Sequence, residues 1–245
     1  ADPYARSSGV NGKRSMVVNP ALTNPEGWEN IHHKELANPT DAVVYEVHVR
    51  DITIHPSSGV KYPGKYLGLA ENDTRSFENM PTALSHLVDL GITHVHLLPV
   101  FDFSTVDEEK PLDNQYNWGY DPANFNVPEG SYATDAHNGY TRIIELKQMI
   151  MALKKANIGV VMDVVYNHTY KTSDSDFNKL VPGYYYRQDH MGNFSNGSGC
   201  GNEIATERSM VRNFIVSSVK MWAREYKMDG FRFDLMGLID IETMN

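Results

Sequence analysis

A handful of short stretches hold side chains whose types and spacing suit chemistry. The first is Gly230-Phe231-Arg232-Phe233-Asp234. Successive side chains on a strand face opposite ways, so Arg232 and Asp234 share one face. Phe231 and Phe233 then point the other way, towards covering helices. An arginine and an aspartate side by side on the inner face of a buried sheet are costly unless useful. The guanidinium favours the ionised carboxylate, and an ionised carboxylate at the carboxyl end of a strand suits a covalent nucleophile. A structural ion pair is the plainer alternative, and spacing leaves both open.

The second stretch is Asp163-Val164-Val165-Tyr166-Asn167-His168-Thr169. Asp163 falls inside a strand, where it can brace Arg232 across the sheet. Asn167 and His168 fall at the exit. A histidine there suits a hydrogen bond to a sugar hydroxyl or a proton transfer, or is simply a satisfied structural histidine. The third is Tyr116-Asn117-Trp118-Gly119-Tyr120-Asp121-Pro122. Its rings suit the apolar faces of a pyranose, and its Asn and Asp suit the hydroxyls. A satellite core under a long loop has the same composition. His94 and His96 share a strand face, as divalent-metal ligands do. The further ligands such a site needs do not appear at comparable strand ends, so packed histidines are the simpler reading. Cys200 has no basic neighbour in sequence to make it a nucleophile.

These side chains need a scaffold, and four apolar, β-branched runs supply it: residues 43–49, 93–100, 159–165 and 229–234. Helical patterns separate them. Residues 81–90 carry Leu84, Leu87 and Leu90, residues 141–156 carry Ile144, Met151 and Leu153, and residues 207–226 carry Met210, Phe214, Val219 and Trp222. Strand and helix alternate, which predicts an α/β fold with a parallel sheet covered on both faces. The stretches after the strands (51–79, 101–140 and 166–206) are long and rich in Gly, Pro, Asn and aromatics. In parallel α/β folds those loops build the active site. Residues 1–40 show no sustained periodicity and read as an irregular lead-in from a preceding domain. Residues 41–245 read as the catalytic unit.

Composition narrows the function. The 245 residues are 41% hydrophobic and 22% charged, a globular balance. Lys and Arg number 22 against 31 Asp and Glu, a formal charge of -9 with no long basic run. That argues against a nucleic-acid backbone or an anionic membrane as partner. No apolar run approaches the ~20 residues of a membrane span. One cysteine excludes an internal disulfide. Ala1-Asp2-Pro3 reads as the interior of a longer polypeptide, and the compartment stays unassigned.

Two of these stretches, DVVYNHT (163–169) and GFRFDLMG (230–237), resemble the first two conserved segments of the α-amylase superfamily of glycoside hydrolases. The heptapeptide YNWGYDP (116–122) resembles the signature of its starch-debranching branch, the type I pullulanases. VNGKRSMVV (10–18), VYEVHVRD (44–51), HLLPVFDF (96–103), PEGSY (128–132) and NGSGCGNE (196–203) are similar to that branch as well. The resemblance implies the N-terminal half of a (β/α)8 TIM barrel, about four βα units with long βα loops. It implies retaining hydrolysis of α-1,6-glucosidic linkages in pullulan, amylopectin or limit dextrins. Residue by residue, it implies Asp234 as nucleophile and Arg232 as the arginine that orients it. His168 would bind the glucose at the cleaved bond, and Tyr120 would stack under it with Asp121 and Trp118 beside. Asp163 matches the first segment's aspartate, mainly structural, and Asn167 matches a position that in many amylases binds calcium. No organic cofactor is implied.

The family's general acid is a Glu on the fifth strand, and these residues stop after the fourth. Glu242 follows Asp234 too closely to be that acid. The expectation is therefore the nucleophile half of a site, inactive alone. Its partners would be an α-glucan and either the remaining half-barrel or a second copy. Two unpaired strand edges and an exposed apolar inner face are expected. The alternative is a catalytically incomplete glucan-binding or regulatory fragment.

Overall fold

The computed structural model describes residues 2–245. Four strands, β1 (Val44–Val47), β2 (His94–Leu97), β5 (Gly159–Val164) and β6 (Gly230–Phe233), form one sheet in that order. All three pairings are parallel. Between them in the chain lie α1 (Asp51–Ile54), α2 (Tyr66–Ala70), α3 (Ala83–Asp89), the strands β3 (Phe101–Phe103) and β4 (Pro122–Pro128), α4 (Gly139–Lys155), α5 (Asp176–Leu180) and α6 (Ser209–Glu225). A short α7 (Ile241–Met244) follows β6. Each new strand is added beside the last after a helical crossover, which is the winding of a (β/α)8 barrel carried through four units. Every expected strand and long helix is present, inside the expected bounds to within a few residues.

Alternation along the strands sorts the two faces. Val95, Leu97, Val160, Met162 and Val164 are fully buried beneath the helices. The opposite face carries Glu46, His48, His94, His96, Asp163, Arg232 and Asp234. The inner face is thus mainly polar, with Val44 and Val161 as its apolar members, which corrects the apolar surface expected of an open half-barrel. The floor of a polar site needs such groups. The two edges are open as expected: Val44, Tyr45 and Glu46 of β1 and Arg232 of β6 are exposed.

The helices form where caps and apolar spacing agree. Asn138 caps α4, its side chain accepting from Tyr140 N, and Lys154 and Lys155 sit in the last turn where the dipole favours them. On α6, Val211, Phe214, Ile215, Met221 and Trp222 face inward. Trp222 donates from Nε1 to the Phe125 carbonyl at 2.9 Å, and Phe125 stacks on Tyr166 with centroids 5.3 Å apart. A buried aromatic of this size contributes roughly 1.5–3 kcal/mol.

Two segments are more ordered than their composition suggests. Residues 101–140, which read as loop, hold the antiparallel hairpin β3–β4, with Phe101, Phe103 and Phe125 buried. Residues 2–40 are irregular, with four single-turn 3-10 helices, yet they strap the outside of the barrel. Lys227 Nζ donates to the carbonyls of Trp28 (2.7 Å) and Ile31 (2.6 Å), Lys147 Nζ to Asn24 Oδ1 (2.6 Å), and Ser7 Oγ to the Gly139 carbonyl (2.7 Å). Asp229 closes the far end, accepting from Lys34 N at 2.7 Å and Lys154 Nζ at 2.6 Å.

Candidate active site

Parallel pairing sets Asp163 of β5 opposite Arg232 of β6. The ladder runs one residue further, Asp234 N donating to the Val164 carbonyl at 2.9 Å. Arg232 Nη1 then lies 3.1 Å from both Asp163 oxygens and 2.9 Å from Asp234 Oδ1. One guanidinium nitrogen is shared between two carboxylates, one fully buried and one facing solvent in part. Burial works against the charge of Arg232, but hydrogen bonds and charge from Asp163 and Asp234 outweigh it and raise its pKa.

Asp234 is held on its other oxygen as well. Asn167 Nδ2 donates to Asp234 Oδ2 (3.1 Å) and to its carbonyl (2.9 Å). The next residue, Leu235, has φ 45 and ψ 45, a left-handed conformation rare for a branched side chain. That geometry costs roughly 1–2 kcal/mol and ends the strand abruptly, leaving the Asp234 carboxylate at the rim.

The aromatic loop is fastened over this rim. His48 Nε2 donates to the Asn117 carbonyl at 2.8 Å and its Nδ1 accepts from Asp51 N, so the ring bridges β1 to the loop. Burial lowers the His48 pKa, consistent with that neutral tautomer. Gly119 has φ 92, and a Cβ there would sit 2.8 Å from the Pro99 carbonyl oxygen, so the turn admits only glycine. Tyr120 OH donates to Asp163 Oδ2 at 2.7 Å. Trp118 is more than half exposed, with Nε1 donating to Tyr116 OH.

Together these residues border a cleft of about 710 Å³, whose walls include Glu46, His48, Tyr116, Trp118, Tyr120, His168, Cys200, Asp234 and Leu235. Of the residues singled out from sequence, Asp234, Tyr120, Trp118 and His168 reach it. Three sit in contacts that refine what the resemblance implies. Asp163 is fully buried under Arg232, Tyr120 and His96, so it braces and has no face for substrate. Asp121 is outside the cleft wall, its oxygens taken by Thr105 N (2.9 Å) and Asn117 Nδ2 (2.8 Å), which hold the loop. His168 borders the cleft, but Nε2 is bound to the Tyr120 carbonyl (2.9 Å) and Nδ1 to Asn167 Oδ1 (2.5 Å). Burial lowers its pKa against those contacts. A sugar hydroxyl reaches His168 only by exchanging with one of these bonds.

Asn167 Oδ1 lies 2.5 Å from His168 Nδ1, and its Nδ2 is bound to Asp234. His94 and His96 do not converge: His94 Nδ1 meets Thr93 Oγ1 at 2.9 Å, while His96 Nε2 meets Asp163 Oδ2 at 3.2 Å. Among the described residues, the grouping with metal-ligand spacing is Asp102, Glu108 and Glu129 in the β3–β4 region, where Arg142 already sits. Sequence reasoning missed Glu46 and His48, and it read His96 only as half of a metal pair or a packed histidine. Their alternation with Val47 and Leu97 on β1 and β2 was the available signal.

Comparison with known proteins follows this geometry. Residues 77–188 match the α-amylase catalytic domain family. The chain is 50% identical over 243 residues to the pullulanase of Bacillus subtilis strain 168, taking in 99% of this chain and 33% of that protein. It is 38% identical to chloroplastic pullulanase 1 of Arabidopsis thaliana, over 97% of this chain and 28% of that protein. The solved pullulanase of Paenibacillus barengoltzii, in complex with maltohexaose and α-cyclodextrin, superimposes with a TM-score of 0.98 at 55% identity, covering 100% of this chain and 38% of that one. The chain spans about a third of the length of these relatives.

Proposed function

Because the chain belongs to the pullulanase branch of the α-amylase superfamily, we propose that it carries the nucleophile side of a glycoside hydrolase site that cleaves α-1,6-glucosidic linkages with retention. The observation that supports this most is the shared nitrogen of Arg232 between Asp163 and Asp234 at the cleft rim. It holds one carboxylate ready on solvent-facing ground and anchors it to one that never meets substrate.

In the proposed reaction, Tyr120 and Trp118 offer ring faces to the glucosyl unit and Asp234 attacks its anomeric carbon. A carbon–oxygen bond to Asp234 forms as the glycosidic bond breaks. The leaving O6 takes its proton from a general acid, the Glu that the family places on the strand after the fourth. That Glu then removes a proton from water, which attacks the anomeric carbon and releases Asp234. Retention requires the two carboxyls about 5–5.5 Å apart. Glu242 cannot fill the role: it lies on α7 and pairs with Arg212 at 2.9 Å. The proposed substrate is an α-1,6-branched glucan; the relative's complex with maltohexaose and α-cyclodextrin, both α-1,4-linked, supports the binding of its α-glucan segments.

The test is Asp234→Asn in the protein that carries this chain with the rest of the barrel. Turnover of pullulan should fall by 10³-fold or more, on the order seen when a covalent nucleophile is removed, while maltotriose binding changes little. Near-normal turnover would contradict the assignment. The second reading, a glucan-binding fragment without turnover, is favoured if residues 1–245 alone bind maltotriose and the longer protein hydrolyses nothing.

A further inference from the structure

We infer that His96 is a positioning residue for this site, acting through Asp163 on the Arg232–Asp234 pair. The inference rests on the proposed hydrolysis and adds a residue to it. His96 is not among the residues that line the cleft, and its ring is mostly covered. It sits one layer below, on β2, between two carboxylates. Nε2 is 3.2 Å from Asp163 Oδ2 and Nδ1 is 3.7 Å from Glu46 Oε2.

The four contacts of Asp163 explain what His96 does. Oδ2 meets Tyr120 OH (2.7 Å), His96 Nε2 (3.2 Å) and Arg232 Nη1 (3.1 Å), while Oδ1 meets only Arg232 Nη1 (3.1 Å). A carboxylate turns freely about its last bond unless its oxygens are tied. Tyr120 approaches from the loop and His96 from the neighbouring strand, so together they hold Oδ2 still. Arg232 then has one seat, and in that seat its Nη1 reaches Asp234 Oδ1 at 2.9 Å. Without His96, Asp163 keeps its charge but loses a donor. It draws Arg232 towards itself, and the nucleophile loses its partner. Glu46, exposed on β1, stays 3.7 Å from Nδ1, outside hydrogen-bond reach, so the hydrogen bond of the ring is the one to Asp163. The buried face of the sheet supplies no substitute donor, because the neighbours Val95 and Leu97 point under the helices.

Substitution at 96 separates this role from mere packing, because two amides differ in reach. Gln places its amide nitrogen where Nε2 of histidine lies, and Asn places it where Nδ1 lies. In the protein carrying this chain and the rest of the barrel, His96→Leu should lower kcat on pullulan by about tenfold to a hundredfold, the scale of one hydrogen bond to a charged group. KM should stay within about threefold, since no residue lining the cleft has changed. His96→Gln should recover most of the rate, and His96→Asn should not. Where His96→Leu fails to fold, the Gln and Asn pair carries the comparison, with thermal melts to confirm that both are folded. Equal rates for Gln and Asn overturn the inference, as does a change confined to KM. A parent protein that leaves pullulan uncut overturns the proposed function and this inference with it. An active parent whose His96 variants are all unimpaired overturns the inference alone.

Discussion

Among the acid–arginine clusters of the described residues, those around Arg232 and Arg142 differ in one respect. At the rim, Arg232 serves Asp163 and Asp234, with its side chain 47% exposed and that of Asp234 16%. In the β3–β4 region, Arg142 serves Asp102 at 3.4 Å and Glu108 at 2.9 Å, with Glu129 close by, and none of the four side chains is more than about 2% exposed. Water shares the charge at the rim. In the interior it does not, and three carboxyls face one guanidinium. Burial, against the pull of Arg142, raises Asp102 to about 7; burial, then the charges of Asp102 and Glu108, raises Glu129 to about 8. Glu108 Oε1 and Arg142 Nε are left without partners. The same residue types make a solvent-reached rim in one place and a proton-holding brace in the other, and exposure is the difference.

Exchanging the arginines should show the contrast most strongly. Arg142→Met leaves buried carboxyls without a cation and should destabilise the protein by about 3–5 kcal/mol in urea unfolding. Catalysis per folded molecule should stay near that of the parent. Arg232→Met, at a half-exposed position, should change stability by about 1 kcal/mol or less, yet lower kcat on pullulan by about 10²-fold or more. If the two variants lose stability equally, exposure is not what separates the clusters.

A pH series sharpens the interior side. Asp102 and Glu129 bind protons in the fold, at about 7 and about 8, that they release on unfolding from the ordinary carboxylate range upward. The folded state therefore holds more protons across that window, and stability falls as pH rises from about 4 to about 8. Below the window both states are protonated and this loss is absent. Glu129→Gln removes one ionisation, so the melting temperature should fall less steeply with pH than in the parent. It should be lower at acid pH, because the amide accepts only one of the bonds from Phe103 N and Ser131 N. Parallel slopes for parent and variant would place the protons elsewhere.

The smallest expected effect lies at the cleft mouth. Trp118→Ala removes an exposed ring and should raise KM for pullulan by about threefold to tenfold, with kcat nearly unchanged. A loss confined to kcat would show that the ring orders the Tyr120 loop rather than the sugar.

Much of the scaffold was legible in the chain. The four strand runs and three long helices follow from apolar runs and helical spacing, since one face of each element must leave water. Asp163 and Arg232 facing one another follow from strand parity and order. Other features were illegible for a stated reason. Arg142, Glu145 and Lys147 on α4 look like a solvated face, yet all three are buried, because the 2–40 strap and the β3–β4 hairpin cover that side. Asp121 looks like a hydroxyl ligand because it adjoins Tyr120, but only the path of the loop turns it to Thr105 and Asn117. His96 looks like half a metal motif until β5 brings Asp163 beside it.

Sequence alone thus determined what varies with local spacing: the order of strands and helices and the parity of Arg232 and Asp234. The tertiary structure decided what depends on distant segments meeting. It settled which charges water reaches, which histidine nitrogens are already spent, and which of two arginine clusters opens to a cleft. Pattern repeats every two or 3.6 residues and can be read along a chain. Exposure is set by whatever chain comes to lie on top, as residues 2–40 lie on α4, and no spacing within one element records that.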